Sequence, residues 1–217
     1  MTLKGEIQQL LAGFSVPEHI ARIIAESHQA LEGSGIARGI AVGDQAPDFE
    51  LEDSAGHSVR LYEQLRRGPA VVSFFRVAWC PVCNLQLVAF QRALPEITTL
   101  GAEILAVHPE SGQLVEDPPD GFHILADTSQ RVIHDYRLEF TVSADVRRIY
   151  PLVFGVDVSK KNANGGWTLP VPGTFVVGQD RIVKRRHVRA DFSLRMEPSE
   201  VIEALTQLRD ERERAAN

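Results

Sequence analysis

Long apolar runs are missing from this 217-residue sequence. No stretch approaches the ~20 apolar residues that a membrane-spanning helix requires, so we expect no membrane partner. Basic residues are outnumbered, 23 against 29 acidic ones, and the net charge of -6 argues against a nucleic-acid partner. The first eleven residues lack a basic start, a continuous apolar core and a cleavage site. We therefore predict no signal peptide and a reducing, cytoplasmic setting.

Cysteine is also scarce, with only Cys80 and Cys83 present. A zinc site needs four ligands, and neither a second cysteine pair nor a paired histidine spacing occurs. The histidines considered as ligands stand singly in the sequence: His108, His123, His134 and His187. No Gly-rich phosphate loop of the usual form occurs either. We expect no metal, flavin or nucleotide cofactor. Inert buried thiols remain the alternative to redox chemistry.

The two cysteines follow an apolar run at residues 70–75, which is typical of a strand buried on both faces. Behind them, three apolar residues recur at helical spacing on the stripe of Cys83: Leu87, Phe90 and Leu94. Pro81 suits the first helical position, which places Cys80 at the N-cap. The helix N–H groups and dipole should favour a thiolate there. Two sulfurs one helical turn apart can also close a disulfide.

Two amphipathic helices are predicted before Gly33, the second opened by a capping box at residues 15–18. They indicate an N-terminal helical extension over residues 1–35 and a main domain over residues 36–217. We expect the pair of helices to pack on its own domain, because apolar stripes usually face a core. The alternative is a surface for a partner or for a second copy in a homodimer.

The rest of the chain predicts a mixed α/β domain. The expected elements are a hairpin at 48–61, a short helix at 62–66, the cysteine helix kinked or broken at Pro95, strands at 104–107, 123–126, 173–177 and 182–188, and a last helix from Pro198 to about Leu208 followed by a fraying tail. A loop is expected over residues 109–121. Asp127 is interpreted as a helix cap rather than a proton acceptor. The alternating basic residues at 181–189 indicate a protected edge strand.

Three motifs together resemble the AhpC/TSA peroxiredoxin-like branch of the thioredoxin superfamily, over roughly residues 42–208. They are the entry hairpin that begins at residues 43–51, the W-C-x-x-C motif at 79–83, and Val171-Pro172-Gly173-Thr174-Phe175. The resemblance implies a thioredoxin-like fold, a central mixed β-sheet flanked by helices. It makes Trp79 and Pro81 supporting residues of a redox-active Cys80–Cys83 disulfide. It also implies a cis-proline at Pro172 that presents the backbone of Val171 beside the sulfurs.

The sequence departs from the family pattern near the cysteines. Counted without gaps, Cys83 falls at the peroxidatic position, but Arg76 stands where the family has proline. Cys80 stands where the family has the Thr or Ser whose hydroxyl binds the peroxide. The usual arginine just before the strand at Phe175 is also missing. Arg76 or Arg195 could substitute for it by placing positive charge near the thiolate, the alternative being ordinary surface ion pairing.

The resemblance implies a peroxiredoxin-like thiol oxidoreductase. One cysteine attacks a hydroperoxide and becomes a sulfenic acid, the other condenses with it to form the disulfide, and thioredoxin or a glutathione-linked donor restores both thiols. Two alternatives stay open. One is a thiol-disulfide reductase that acts on protein disulfides with the same residues. The other is a redox-sensing module that binds a partner through the N-terminal helices.

Two arguments disagree about which sulfur attacks. Ungapped counting favours Cys83. The helix argument buries Cys83 on the apolar stripe, which raises its pKa, and leaves Cys80 at an exposed helix tip. Because reactivity requires both thiolate character and access, we predict Cys80 as the nucleophile and Cys83 as the resolving residue.

Overall fold

The computed structural model describes residues 2–53, 55–76, 79–110 and 118–216. The helices are α1 (Leu3–Ala12), α2 (Glu18–Ser34), α3 (Leu61–Arg67), α4 (Pro81–Thr99), α5 (Arg131–Asp135), α6 (Ala144–Phe154), α7 (Val158–Lys161) and α8 (Pro198–Ala216). The strands are β1 (Glu50–Glu52), β2 (Ser58–Arg60), β3 (Ala70–Phe74), β4 (Glu103–His108), β5 (Phe122–Ala126), β6 (Glu139–Thr141), β7 (Thr168–Pro170), β8 (Gly173–Val177) and β9 (Val183–Val188). Predictions for Ser54, Val77, Ala78 and residues 111–117 fall outside the described ranges.

A mixed five-stranded sheet forms the centre of the molecule, in the order β5-β4-β3-β8-β9. The central strand β3 runs parallel to β4 and antiparallel to β8. All five of its residues are buried, which explains why its sequence is apolar except for Ser73. Strand β9 lies at the sheet edge, as its alternating charges predict.

Two apolar cores cover the faces of this sheet. On one face α1, α4 and α8 pack together, with Ile7, Phe90 and Leu205 fully or almost fully buried. On the other face α3, α5 and the β1–β2 hairpin enclose side chains such as Leu65 and Tyr136. Since α4 follows β3 in the sequence, the cysteines lie beyond the carboxyl end of β3, in the core on the face that α1, α4 and α8 cover.

The N-terminal helices pack on the body of the protein, as predicted. Helix α1 buries Leu3 and Ile7 beside α4, whereas α2 lies on α6 without a fully buried residue. The predicted capping box is wrong. Pro17 occupies the N-cap of α2, and no side chain among the described residues caps that helix end. The division of the chain at residue 35 stays a prediction, as does a homodimer.

Of the predicted kink or break at Pro95, the break does not occur, because α4 continues through that residue. Leu94 and Ile97 are buried on either side of the proline, so packing outweighs the hydrogen bond that proline cannot make. The sequence predicts a fraying tail after Leu208, but helix α8 extends to Ala216. An ion pair between Arg209 and Glu213 supports its exposed end.

Asp127 does cap α5, although the N-cap position itself is held by Gln130. The buried Oδ2 atom of Asp127 accepts a hydrogen bond from the backbone N–H of Ile133 at 2.9 Å. Helix α6 and the antiparallel pair of β6 and β7 were not predicted from the sequence, yet α6 and β6 contribute residues to the candidate site.

Candidate active site

Cys80 and Cys83 lie at the start of α4 as their spacing predicts. Cys80 occupies the N-cap, Pro81 the first position of the helix, and Cys83 the first turn. Both cysteines are free thiols. Contrary to the prediction, the Cys80 sulfur does not cap the helix. Its thiol instead donates a hydrogen bond to the Cys83 sulfur.

Neither sulfur is at an exposed tip. Cys80 is 4% exposed and Cys83 0% exposed, so the predicted accessibility of Cys80 is wrong. The physical reason is tertiary, because the N-terminal helices and the segment after β9 cover the end of α4. Leu11, Ile24 and Phe192 from those elements line a cavity that reaches Cys80.

Two buried arginines converge on the cysteines from distant parts of the chain. The Nη2 atom of Arg195 donates a hydrogen bond to the Cys83 sulfur at 3.6 Å. The backbone N–H of Arg76 donates to the same sulfur. Arg76 and Arg195 are 4% and 8% exposed, so both predicted cations are buried near the thiols rather than paired on the surface. Positive charge is worth more there than in water.

These contacts separate the two thiols electrostatically. Burial raises the pKa of Cys83, but the hydrogen bond from Cys80, the Arg195 charge and the Arg76 backbone N–H outweigh it and lower the pKa to about 5. The pKa of Cys80 is raised well above its ordinary value by the hydrogen bond it donates, by burial and by the charge on Cys83. The pair therefore shares one proton, and the negative charge resides on Cys83.

The Arg76 side chain is fixed by an aromatic surround. Its Nη1 atom donates to the hydroxyl of Tyr150 at 3.2 Å, and its guanidinium carbon lies 4.8 Å from the ring centre of Phe192 and 5.9 Å from that of Phe140. Its Nε atom is buried and has no hydrogen-bond partner in the part of the chain that the structure describes. The guanidinium therefore retains a free donor close to the thiols.

Tyr150 on α6 belongs to the site, although no motif or spacing in the sequence indicates it. It is 4% exposed and contacts Trp79 edge to face, with ring centres 5.5 Å apart. Trp79 thus supports the cysteine segment from the α6 side. Phe192 stands three residues before Arg195, and its proximity to Arg76 could not be read from either sequence segment.

The predicted cis-proline is not present. No peptide bond of the described residues is cis, so Val171–Pro172 is trans. Pro172 immediately precedes Gly173, which pairs with Phe74. The register therefore brings Val171 and Pro172 to the level of the segment that leads from β3 to the cysteines.

The cavity beside Cys80 has a volume of about 200 Å³. Its walls are apolar side chains from α1, α2, α6 and the segment after β9, and Arg76 is the only charged residue among the described ones that line it. Much of the wall thus comes from the N-terminal helices. The arrangement can hold an apolar group against a thiol and a guanidinium.

Within the described ranges, no three His, Cys, Asp or Glu side chains are grouped so as to hold a metal ion. Over the same residues, none of the helices is both long enough and apolar enough to cross a membrane.

The family profile described as the AhpC/TSA family matches residues 42–186. The chain belongs to this family. Among curated proteins, the thiol-disulfide oxidoreductase ResA of Geobacillus kaustophilus is 34% identical over 104 residues, covering 46% of this chain and 59% of ResA. A putative peroxiredoxin of Mycobacterium tuberculosis is 30% identical over 95 residues, covering 42% of this chain and 60% of the relative. The chain thus spans about six tenths of the length of these curated relatives.

Solved peroxiredoxin structures share the fold of this AhpC/TSA member. The peroxidoxin BcpB of Mycobacterium tuberculosis superposes with a TM-score of 0.55 at 20% identity, over 78% of this chain and 98% of that protein. The reduced 2-Cys peroxiredoxin of Plasmodium vivax gives a TM-score of 0.58 at 14% identity, over 80% and 84% of the two chains. The expected thioredoxin-like α/β fold with N-terminal helices is therefore confirmed.

Proposed function

We propose that this protein is a thiol oxidoreductase that reduces hydroperoxides through Cys80 and Cys83. The observation that carries the proposal is the buried Arg195 guanidinium on the sulfur of Cys83, while the thiol of Cys80 donates to that same sulfur. A thiolate held in this way is a nucleophile, and a second sulfur stands beside it to resolve the oxidised product.

The reaction proceeds in three balanced steps. The Cys83 thiolate attacks the terminal oxygen of the hydroperoxide, the O–O bond breaks, and the departing oxygen takes a proton to leave as an alcohol or as water. Cys83 is then a sulfenic acid. Cys80 displaces its hydroxyl group, which forms the Cys80–Cys83 disulfide and releases water. An external dithiol supplies two electrons and two protons to restore both thiols.

This assignment exchanges the roles predicted from the sequence. It is supported by the donors, which are directed at Cys83, and by the raised pKa of Cys80, which keeps that thiol protonated until it resolves the sulfenic acid. The gap-free register of the family motif supports the same assignment. The cavity reaches Cys80, and the thiol of Cys80 contacts the sulfur of Cys83.

The cavity supports a hydroperoxide with an organic group as substrate. Its volume of about 200 Å³ is several times what hydrogen peroxide would occupy, a single water filling ≈ 30 Å³ of liquid. Apolar walls gain from contact with a hydrocarbon group and gain nothing from a small polar peroxide. Arg76, which lines the cavity, would meet the polar end of such a substrate.

The test uses Cys80→Ser and Cys83→Ser with cumene hydroperoxide and with limiting iodoacetamide at several pH values. Cys80→Ser should form a trapped sulfenic acid and be alkylated rapidly down to about pH 5, as the pKa of Cys83 requires. Cys83→Ser should react slowly with both reagents. Rapid sulfenic acid formation in Cys83→Ser would instead restore Cys80 as the nucleophile.

Steady-state turnover should identify the electron donor. The peroxiredoxin-like and thiol-disulfide relatives support a thiol reductant, and we propose thioredoxin or a glutathione-linked donor. Purified thioredoxin and glutaredoxin systems, each with NADPH oxidation as the readout, separate the two. A cytoplasmic setting stays a prediction.

A thiol-disulfide reductase is the second candidate, supported by the W-C-x-x-C motif and by the similarity to ResA. It uses the same two residues on a protein disulfide instead of a hydroperoxide. Reduction of insulin disulfides that proceeds much faster than consumption of cumene hydroperoxide, under the same donor system, would favour this candidate over the first.

A further inference from the structure

The segment between β9 and α8, residues 189–197, carries two side chains of the candidate site. We name it the arginine loop. Arg195 donates to the Cys83 sulfur at 3.6 Å, and the ring of Phe192 lies 4.8 Å from the Arg76 guanidinium. The loop contains neither helix nor strand. The position of the loop therefore depends on contacts with neighbouring elements and not on helix or strand hydrogen bonds of its own.

One such contact joins the end of the loop to α1. The carboxylate of Glu197 accepts the backbone N–H of Leu3 at 2.9 Å and that of Lys4 at 2.7 Å, one bond to each oxygen. These N–H groups belong to the first turn of α1 and have no partner within the helix. The carboxylate also complements the positive end of the helix dipole.

A second contact joins the start of the loop to α2. Glu32 accepts the backbone N–H of Ala190 at 3.1 Å and pairs with Arg189 at 3.3 Å. One turn earlier on α2, His28 packs edge to face against Phe192, with ring centres 5.1 Å apart. The arginine loop is thus held at both ends by the two N-terminal helices.

The residues of α1, α2 and the arginine loop that make these contacts lie outside the segment 42–186 that matches the AhpC/TSA family profile. We propose that the N-terminal helices are working parts of the redox site, in which Glu197 and Glu32 are positioning residues that hold the Arg195 guanidinium against the Cys83 sulfur. The inference rests on the proposed function only in taking Cys83 as a redox thiol.

The need for positioning follows from the geometry of Arg195. The Nε and Nη1 atoms of its buried guanidinium have no hydrogen-bond partner among the described residues. Its hydrogen bond to a described residue is the one to the Cys83 sulfur. With one polar contact, the guanidinium depends on the backbone of the arginine loop for its position. Displacement of the arginine loop by an ångström or more would lengthen the contact and weaken the attraction between the charges.

The test measures the pKa of Cys83 in a Cys80→Ser background, so that one thiol titrates. The readout is the pH dependence of iodoacetamide alkylation, with no hydroperoxide present. Arg195→Met should raise that pKa by about one to three units, the range expected for loss of a close opposite charge. Glu197→Ala and Glu32→Ala should each raise it by about half a unit to one unit.

A double-mutant cycle separates positioning from general packing. In an Arg195→Met background, Glu197→Ala and Glu32→Ala should cause no additional rise, because the charge they position is gone. Glu197→Gln, which keeps one acceptor oxygen, should lie between wild type and Glu197→Ala. Matched controls are Glu6→Gln, which breaks a 2.7 Å pair between α1 and Arg92, and Glu26→Gln, on an exposed pair of α2. Both should leave the pKa unchanged.

Folding is verified by circular dichroism for every variant, and Glu32→Ala with Glu197→Gln suffices if Glu197→Ala fails to fold. An unchanged pKa in the folded Glu32 and Glu197 variants, or an equal rise in the Arg195→Met background, overturns the proposal. A pKa that responds as expected in a protein that consumes no hydroperoxide would leave this inference standing and remove the proposed function. Hydroperoxide turnover with an unresponsive pKa would do the reverse.

Discussion

The Nη2 atom of Arg195 lies 3.6 Å from the sulfur of Cys83, across 112 positions of the sequence. The contact connects the first turn of α4 to the loop that precedes α8. It puts a cation on Cys83, whereas the Cys80 thiol is a donor to Cys83. The two cysteines of one motif are therefore inequivalent before any substrate binds, and the following predictions depend on that difference.

The stability of the reduced protein should rise with pH because of Cys83. Its folded pKa of about 5 is below its ordinary value, so the unfolded chain binds more protons from about pH 5 upward. Between about pH 5 and the ordinary cysteine pKa of ~8.5, the free energy of unfolding gains up to about 1.4 kcal/mol per pH unit. This gain is lost as the pH falls through 5. Urea unfolding of wild type and Cys83→Ser under reductant, from pH 5 to 8, should show a widening difference. A constant difference would contradict the low pKa.

Oxidation should be intramolecular. The only two cysteines are one helical turn apart and in hydrogen-bond contact, so closure is much faster than pairing between chains. One equivalent of hydroperoxide, followed by alkylation and intact-mass analysis, should give a monomer lighter by about two hydrogens with no alkylated thiol. A covalent dimer as the main product would show that the sulfurs do not meet within one chain.

Tyr150→Phe should weaken both the fold and the site. The change removes the acceptor of the buried Arg76 Nη1 atom, which costs about 1–3 kcal/mol for an unsatisfied donor. Because the Arg76 guanidinium is then less firmly held, we expect the rate constant with hydroperoxide to fall about tenfold, which corresponds to about 1.4 kcal/mol. Tyr62→Phe is the control, since its hydroxyl bonds the carbonyl of Ala46 in the β1–β2 region. Equal rate losses in both variants would argue against a role for Tyr150.

Ala21→Trp should discriminate between hydroperoxides. Ala21 lines the cavity beside Cys80, and an indole there would fill much of its volume of about 200 Å³. We expect kcat/KM for cumene hydroperoxide to fall at least tenfold while that for hydrogen peroxide changes less than twofold. Ala25→Trp places the same side chain on a position of α2 that is exposed like Ala21 but is not among the described residues lining the cavity, and it should affect neither substrate. A parallel loss with both peroxides would mean that the cavity does not hold the organic group.

Local signals in the sequence account for the parts that were predicted correctly. The apolar run of β3, Pro81 at the first helical position and the stripe containing Phe90 are each read within one element. The wrong predictions share a different cause. Cys80 is buried and α4 does not end at Pro95 because of the cover over the helix start and the core packing around Pro95, and neither is visible within the element itself.

The local sequence is enough to place two thiols one turn apart at the start of a helix that follows a buried strand, because strand burial and helix periodicity are local properties. The burial of those thiols, and the choice of which one carries the charge, depend instead on the tertiary contacts. Arg195 comes from 112 residues away, and the helices that hold its loop come from the opposite end of the chain. Charge and burial act through space, so they depend on neighbours that sequence spacing does not identify.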